Sequence, residues 1–63
     1  MTSWYHDVLA AAVARLGSPA GVQWVERPNR LLDGMRPADL CGDQYGVRLV
    51  LAALDREVER AAA

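Results

Sequence analysis

Asp43-Gln44-Tyr45-Gly46-Val47-Arg48-Leu49-Val50-Leu51-Ala52-Ala53-Leu54-Asp55-Arg56-Glu57-Val58-Glu59-Arg60 is the stretch that decides the fold. Val47, Val50, Leu51, Leu54 and Val58 recur at i, i+3, i+4, i+7 and i+11, the stripe of a helix with one buried face. Asp43 is placed to cap it, and the pattern predicts a helix to about Arg60. Arg56 with Glu59, and Glu57 with Arg60, have the i, i+3 spacing of exposed ion pairs. Gly46 inside this helix costs up to ~1 kcal/mol relative to alanine. Its expected role is close approach of another backbone, that of the loop preceding the helix.

Working backward, Pro37 starts one helical turn through Ala38, Asp39, Leu40 and Cys41, which Gly42 breaks. Residues 28–37 form an ordered loop, because Pro28-Asn29 and Asp33-Gly34 are turn signals. Leu31 and Leu32 between them are apolar, so at least one plugs the core. A short helix precedes the loop. Ser18 is its expected cap, Pro19 its first residue and Arg27 its end, since a residue before proline leaves the helical region. Val22 and Val25 share its inner stripe, Ala20 and Trp24 an adjoining one, and Trp24 is expected in the core. Gly21 is the second glycine inside a predicted helix, again a position for close approach.

The first helix is predicted from Trp4 to Leu16. Ser3 caps it, Tyr5, Leu9, Ala12, Val13 and Leu16 form its face, and Gly17 closes it in a left-handed conformation. No segment alternates as a strand does. The expected fold is all-α, a single domain over residues 1–63, built as a compact bundle of three helices plus one short helical turn.

Size sharpens this. A chain of 63 residues buries only about 60% of the surface that its unfolded form exposes. Its stability must come from tight packing, self-association or a partner. Cys41, the single cysteine, makes no disulfide within the chain, and reads as a small buried apolar residue. Cys41 and His6 lack metal-ligand spacing, so no metal and no cofactor are expected. They also lack an orienting third group, and Ser3 and Ser18 read as helix caps. No catalytic residue is therefore assigned, and the chain is not expected to be an enzyme.

Seven arginines and no lysine stand against eight acids. That balance excludes general nucleic-acid binding, which needs a basic patch to displace counterions, and likewise an anionic membrane surface. The longest apolar run, Val8 to Ala14, is seven residues, against ~20 for a membrane span. The N-terminus lacks a basic region and carries Asp7 where a signal peptide would be apolar, which predicts a cytoplasmic protein. Trp4 is open between packing on its own bundle and packing on another chain. A short chain with 52% apolar residues and an alanine-rich first helix is expected to form a homo-oligomer, with Trp4 at the contact. The run Asp55 to Arg60 reads most simply as a solvated face and, more sharply, as a partner-binding helix end.

The string Trp24-Val25-Glu26-Arg27-Pro28-Asn29-Arg30-Leu31-Leu32-Asp33-Gly34-Met35-Arg36-Pro37-Ala38-Asp39-Leu40, followed by Gly46, Val50 and Leu54, resembles the toxin-binding domain of Xre/MbcA/ParS-type antitoxins. The family pattern W-[LV]-x-x-P-N-x-x-L-x-G-x-x-P-x-x-L, then G-x-x-x-V-x-x-x-L, is matched in order from Trp24 to Leu54, and the resemblance covers about residues 8–58. No single element of it is specific; the ordered set is. The resemblance implies a non-catalytic module that binds a cognate toxin, commonly a RES-type enzyme consuming NAD, and that tends to dimerise. It points to Asn29 and Met35 on the loop and Arg56, Glu57, Glu59 and Arg60 at the helix end as partner-binding residues. Three departures stand out. The chain has no room for the helix-turn-helix domain that often accompanies the family. Arg36 replaces a small capping Ser or Thr. Arg60 and three alanines occupy the end where the family tends to have a glycine-containing tail. The alternative is a structural module that has kept the fold and only self-associates.

Overall fold

The computed structural model describes residues 3–62. Helix α1 spans Tyr5–Leu16, α2 spans Ala20–Glu26 and α3 spans Gln44–Ala62, with two 3-10 turns, Arg30–Leu32 and Pro37–Leu40, between α2 and α3. The bundle is all-α. Among the described residues the one extended pairing is an isolated bridge between Asn29 and Met35.

The elements begin and end for local reasons. Trp4 donates its backbone N–H to the Cys41 carbonyl at 3.0 Å, which ties the chain start to the turn before α3. Helix α1 therefore starts at Tyr5, one residue after the expected point, and the Ser3 hydroxyl accepts the Tyr5 N–H at 3.3 Å. Gly17 stops α1 with φ 81° and ψ 175°. This is a positive-φ position suited to glycine, although ψ is extended and not left-handed helical. The Ser18–Pro19 bond is cis, and α2 begins at Ala20 with Pro19 flanking it and no side-chain cap. Arg27, before Pro28, is extended (φ −100°, ψ 144°) and ends α2. At the head of α3 the Asp43 carboxylate accepts the Gly46 N–H at 2.7 Å, satisfying one of the first-turn donors.

Val8, Ala12, Val25, Leu32, Cys41, Val50, Ala53 and Leu54 are the buried apolar core. Three expected core assignments change. Leu51 and Val22 are exposed (39% and 40%), and Trp24 is half-buried. The cause is visible at two glycines. A Cβ on Gly21 would lie 2.6 Å from backbone atoms of Ala12 and Val13, so α2 turns its Gly21–Val25 face onto α1 and rotates Val22 outward. A Cβ on Gly46 would overlap the Leu40 carbonyl oxygen. That contact centres Gly46, Val50 and Leu54 on the inner line of α3, leaving Leu51 on the flank. In α1 the buried centre is Val8 and Ala12 rather than the line through Leu9 and Val13, which are half-buried. Of the two loop leucines, Leu32 is buried and Leu31 is 56% exposed.

Side chains bind the elements at two further places. Arg15 of α1 pairs with Asp55 of α3. On the opposite side, the Tyr5 hydroxyl donates to Glu26 Oε2 at 2.9 Å. Arg36 donates to Glu26 Oε1 at 3.2 Å and, through Nε and Nη2, to both Asp39 oxygens at 3.0 and 2.9 Å. Arg36 flanks the Pro37–Leu40 turn without capping it. Its planar fork instead joins the end of α2 to that turn.

Candidate functional site

Helix α3 has 19 residues and α2 has seven. At 1.5 Å per residue, α3 is roughly 28 Å long and α2 about 10 Å, and the final turn of α3, from Glu59 to Ala62, is exposed. Residues of α3 up to Val58 pack on the core. Beyond and beside them lies an open trough of about 1160 Å³. The end of α2, the Arg30–Leu32 turn and the last turns of α3 form its walls.

Asn29, Arg56, Glu57, Glu59 and Arg60 all line this trough. Five of the six residues expected to bind a partner therefore share one concavity, although they come from segments almost thirty positions apart. Met35, the sixth, does not line it. Met35 is 46% exposed and is held by the Asn29–Met35 bridge, with the Asn29 N–H donating to the Met35 carbonyl at 3.0 Å. Asn29 is the organiser of the loop. Its Oδ1 accepts the Leu31 N–H at 2.8 Å, and its carbonyl accepts from Leu32 and Gly34 at 3.0 and 2.9 Å. With these bonds made, Asn29 is half-buried, and its side chain serves the loop first. Asp33 and Gly34 take φ 56° and 82° to complete the turn, which glycine does freely and aspartate tolerates.

Trough residues that the sequence did not assign to partner binding include Arg27, Arg30, Leu31 and Leu16, together with Trp24, assigned from sequence to the core. Trp24 and Leu16 supply a half-buried floor. The Trp24 indole Nε1 is buried and has no hydrogen-bond partner among the described residues. Arg27 was legible only as the end of α2 and Arg30 only as an unspecified position of the family pattern; the chain reversal at Pro28 places both in the trough. On the α3 wall Arg60 pairs with Glu57 at 3.3 Å, with side chains 80% and 28% exposed. The expected Arg56–Glu59 pair is not among the ion pairs of the described residues.

Elsewhere, Trp4 is half-buried. Cys41 is buried, its Sγ lies 3.3 Å from the Pro37 carbonyl as donor, and burial pushes its thiol pKa up, opposite to an activated nucleophile. No group of three or more His, Cys, Asp or Glu among the described residues could hold a metal ion. Among the described residues no helix is long and apolar enough to cross a membrane. Tyr45 and Leu49 project from α3 with 71% and 39% exposure. Leu49 and Leu31, with Ala52, Ala53 and Arg56, border a shallower hollow of about 340 Å³ beside the trough.

One family model matches residues 10–58, that described as the antitoxin Xre/MbcA/ParS C-terminal toxin-binding domain. No curated protein and no solved structure matches the chain.

Proposed function

Because the chain belongs to the Xre/MbcA/ParS C-terminal toxin-binding domain family, we propose that it is an antitoxin module that neutralises a cognate toxin, a RES-type enzyme, by occlusion. The folded surface around the trough covers the toxin and keeps substrate out; the module itself does no chemistry. The observation that carries this reading is the convergence of Asn29, Arg56, Glu57, Glu59 and Arg60 on one concavity. The inner stripe of α3, Gly46, Val50, Ala53 and Leu54, is committed to the core, so partner contact falls to the outer face and the exposed end. The protein acts in the cytoplasm beside its target, and it self-associates through the exposed part of Trp4 and the alanines of α1.

The test is co-expression with the toxin encoded by the neighbouring gene. The chain should restore growth and co-purify with that toxin. Failure to do either removes the reading and leaves self-association as the activity to examine.

A further inference from the structure

Charge is not spread evenly on this molecule. The whole chain has a formal net charge of −1, but the trough collects four of the seven arginines, Arg27, Arg30, Arg56 and Arg60, against Glu57 and Glu59. Arg60 is engaged with Glu57. The local excess therefore rests on Arg27, Arg30 and Arg56, none of which lies within 4.0 Å of a carboxylate among the described residues. All three are exposed. Of the three arginines outside the trough, Arg15 holds Asp55 and Arg36 holds Glu26 and Asp39, while Arg48 stands alone on α3, so the trough is where unpaired arginines gather. Between the unpaired arginines lies apolar surface, with half-buried Trp24 on the floor and Leu31, 56% exposed, at the lip.

We infer that the trough receives an acidic segment of a partner protein, whose carboxylates meet Arg27, Arg30 and Arg56 while an apolar side chain between them packs on Trp24 and Leu31. The inference rests on the toxin-binding reading and names the chemistry by which the partner is recognised. Guanidinium forks bind carboxylates through paired, charge-assisted hydrogen bonds. The trough is open and its walls come from three separate elements, unlike the enclosing pockets that bury most of a small molecule, and so it suits a length of chain lying across it. A nucleic-acid occupant fits less well. Glu59 stands on the same wall without a basic partner among the described residues, where it would repel a continuous phosphate backbone, whereas separated carboxylates on a peptide can be spaced away from it.

The experiment pans a random phage-displayed dodecapeptide library on the intact protein and on a variant carrying Arg27→Glu, Arg30→Glu and Arg56→Glu. Circular dichroism checks the variant's helicity, and Arg→Gln at the same positions replaces it if it unfolds. Peptides enriched on the parent should be net acidic and carry a Leu, Phe or Trp. Their affinity, followed by Trp24 emission in a Trp4→Phe background, should fall at least about tenfold on the variant. Neutral or basic enriched peptides, no enrichment, or unchanged affinity on the variant would overturn the inference, as would tighter binding of a single-stranded oligonucleotide. If the neighbouring toxin binds parent and variant equally, the trough assignment falls and toxin binding stands. If that toxin does not bind the parent, toxin binding falls, and the panning still decides what the trough takes.

Discussion

Gly46 of α3 lies against the Leu40 carbonyl oxygen so closely that a side-chain carbon there would overlap it. The atom in the way is backbone, so no rotamer change relieves the clash. Replacing glycine in a helix with alanine ordinarily adds up to ~1 kcal/mol of stability. Here overlap dominates: Gly46→Ala should destabilise the protein by more than ~3 kcal/mol, the upper end for overpacking. Thermal unfolding checks this, and a Gly46→Ala variant melting at or above the parent temperature would show that the contact is not rigid.

Trp24 leads to the opposite expectation. Its buried indole N–H has no acceptor among the described residues, and an unsatisfied buried donor costs roughly 1–3 kcal/mol. Trp24→Phe removes that donor and keeps an aromatic ring, so its stability should stay within about 1 kcal/mol of the parent. Trp24→Ala should cost about 2 kcal/mol, below the ~3–5 kcal/mol of fully buried aromatic truncations, because the ring is half-exposed. Denaturant midpoints of the two variants measure both effects.

The Tyr5–Glu26–Arg36–Asp39 chain sets a pH window. Hydrogen bonds from Arg36 hold the Asp39 carboxyl below its ordinary range. Its contribution is present above the ordinary aspartate value near ~4 and is lost as pH falls through the lower folded value. The Tyr5 hydroxyl is raised, chiefly by its hydrogen bond to Glu26, so its contribution is present below ~10 and is lost as pH climbs through the higher folded value. Burial raises the Cys41 thiol, so a loss beginning above ~8.5 belongs to it. Asp39→Asn should flatten the acid arm of the stability profile, and Tyr5→Phe the part of the alkaline arm above ~10. Equal slopes in variant and parent would detach these groups from the fold.

Toxin binding should respond to Arg56 and Arg60 together. Reversing both charges leaves the core untouched, since both side chains are exposed. If they sit desolvated at the centre of the contact, the loss is about 2–5 kcal/mol, mainly as faster dissociation. At a rim it is below ~1 kcal/mol. Surface-bound toxin with parent and double variant in solution gives the number, and an unchanged dissociation rate with normal helicity moves the contact elsewhere.

Much of this architecture was legible in the sequence. The i, i+3, i+4 pattern, the Asp43 cap and the glycine at Gly46 placed α3 to within two residues of its ends, Gln44 and Ala62. The Pro-Asn and Asp-Gly signals gave the loop. The rotation of each helix about its axis was less legible. Hydropathy favours Leu51 over Ala53 as a core residue, yet Ala53 is buried and Leu51 exposed. The choice is made by where backbones touch, at Gly21 and Gly46, and a small residue can occupy the inner line for that reason. The Tyr5–Glu26 and Arg36–Glu26 bonds, 21 and 10 positions apart, carry no periodic signal at all. The candidate site was half legible. Its α3 side follows from charge on an outer face, whereas Arg27 and Arg30 enter only because the chain turns back at Pro28 and Asn29.

The exposed last turn of α3 separates two kinds of selection. Val8, Ala12, Val50 and Leu54 are each fixed by neighbours on every side, and changes there are penalised whatever the partner. From Glu59 to Ala62 the helix is exposed, and substitutions that keep helix propensity alter stability by only ~0.5 kcal/mol or less. That end can accumulate variation almost neutrally as far as folding is concerned. If that end meets the partner as proposed, a lineage carrying this module would change whom it recognises in small steps without passing through an unfolded ancestor.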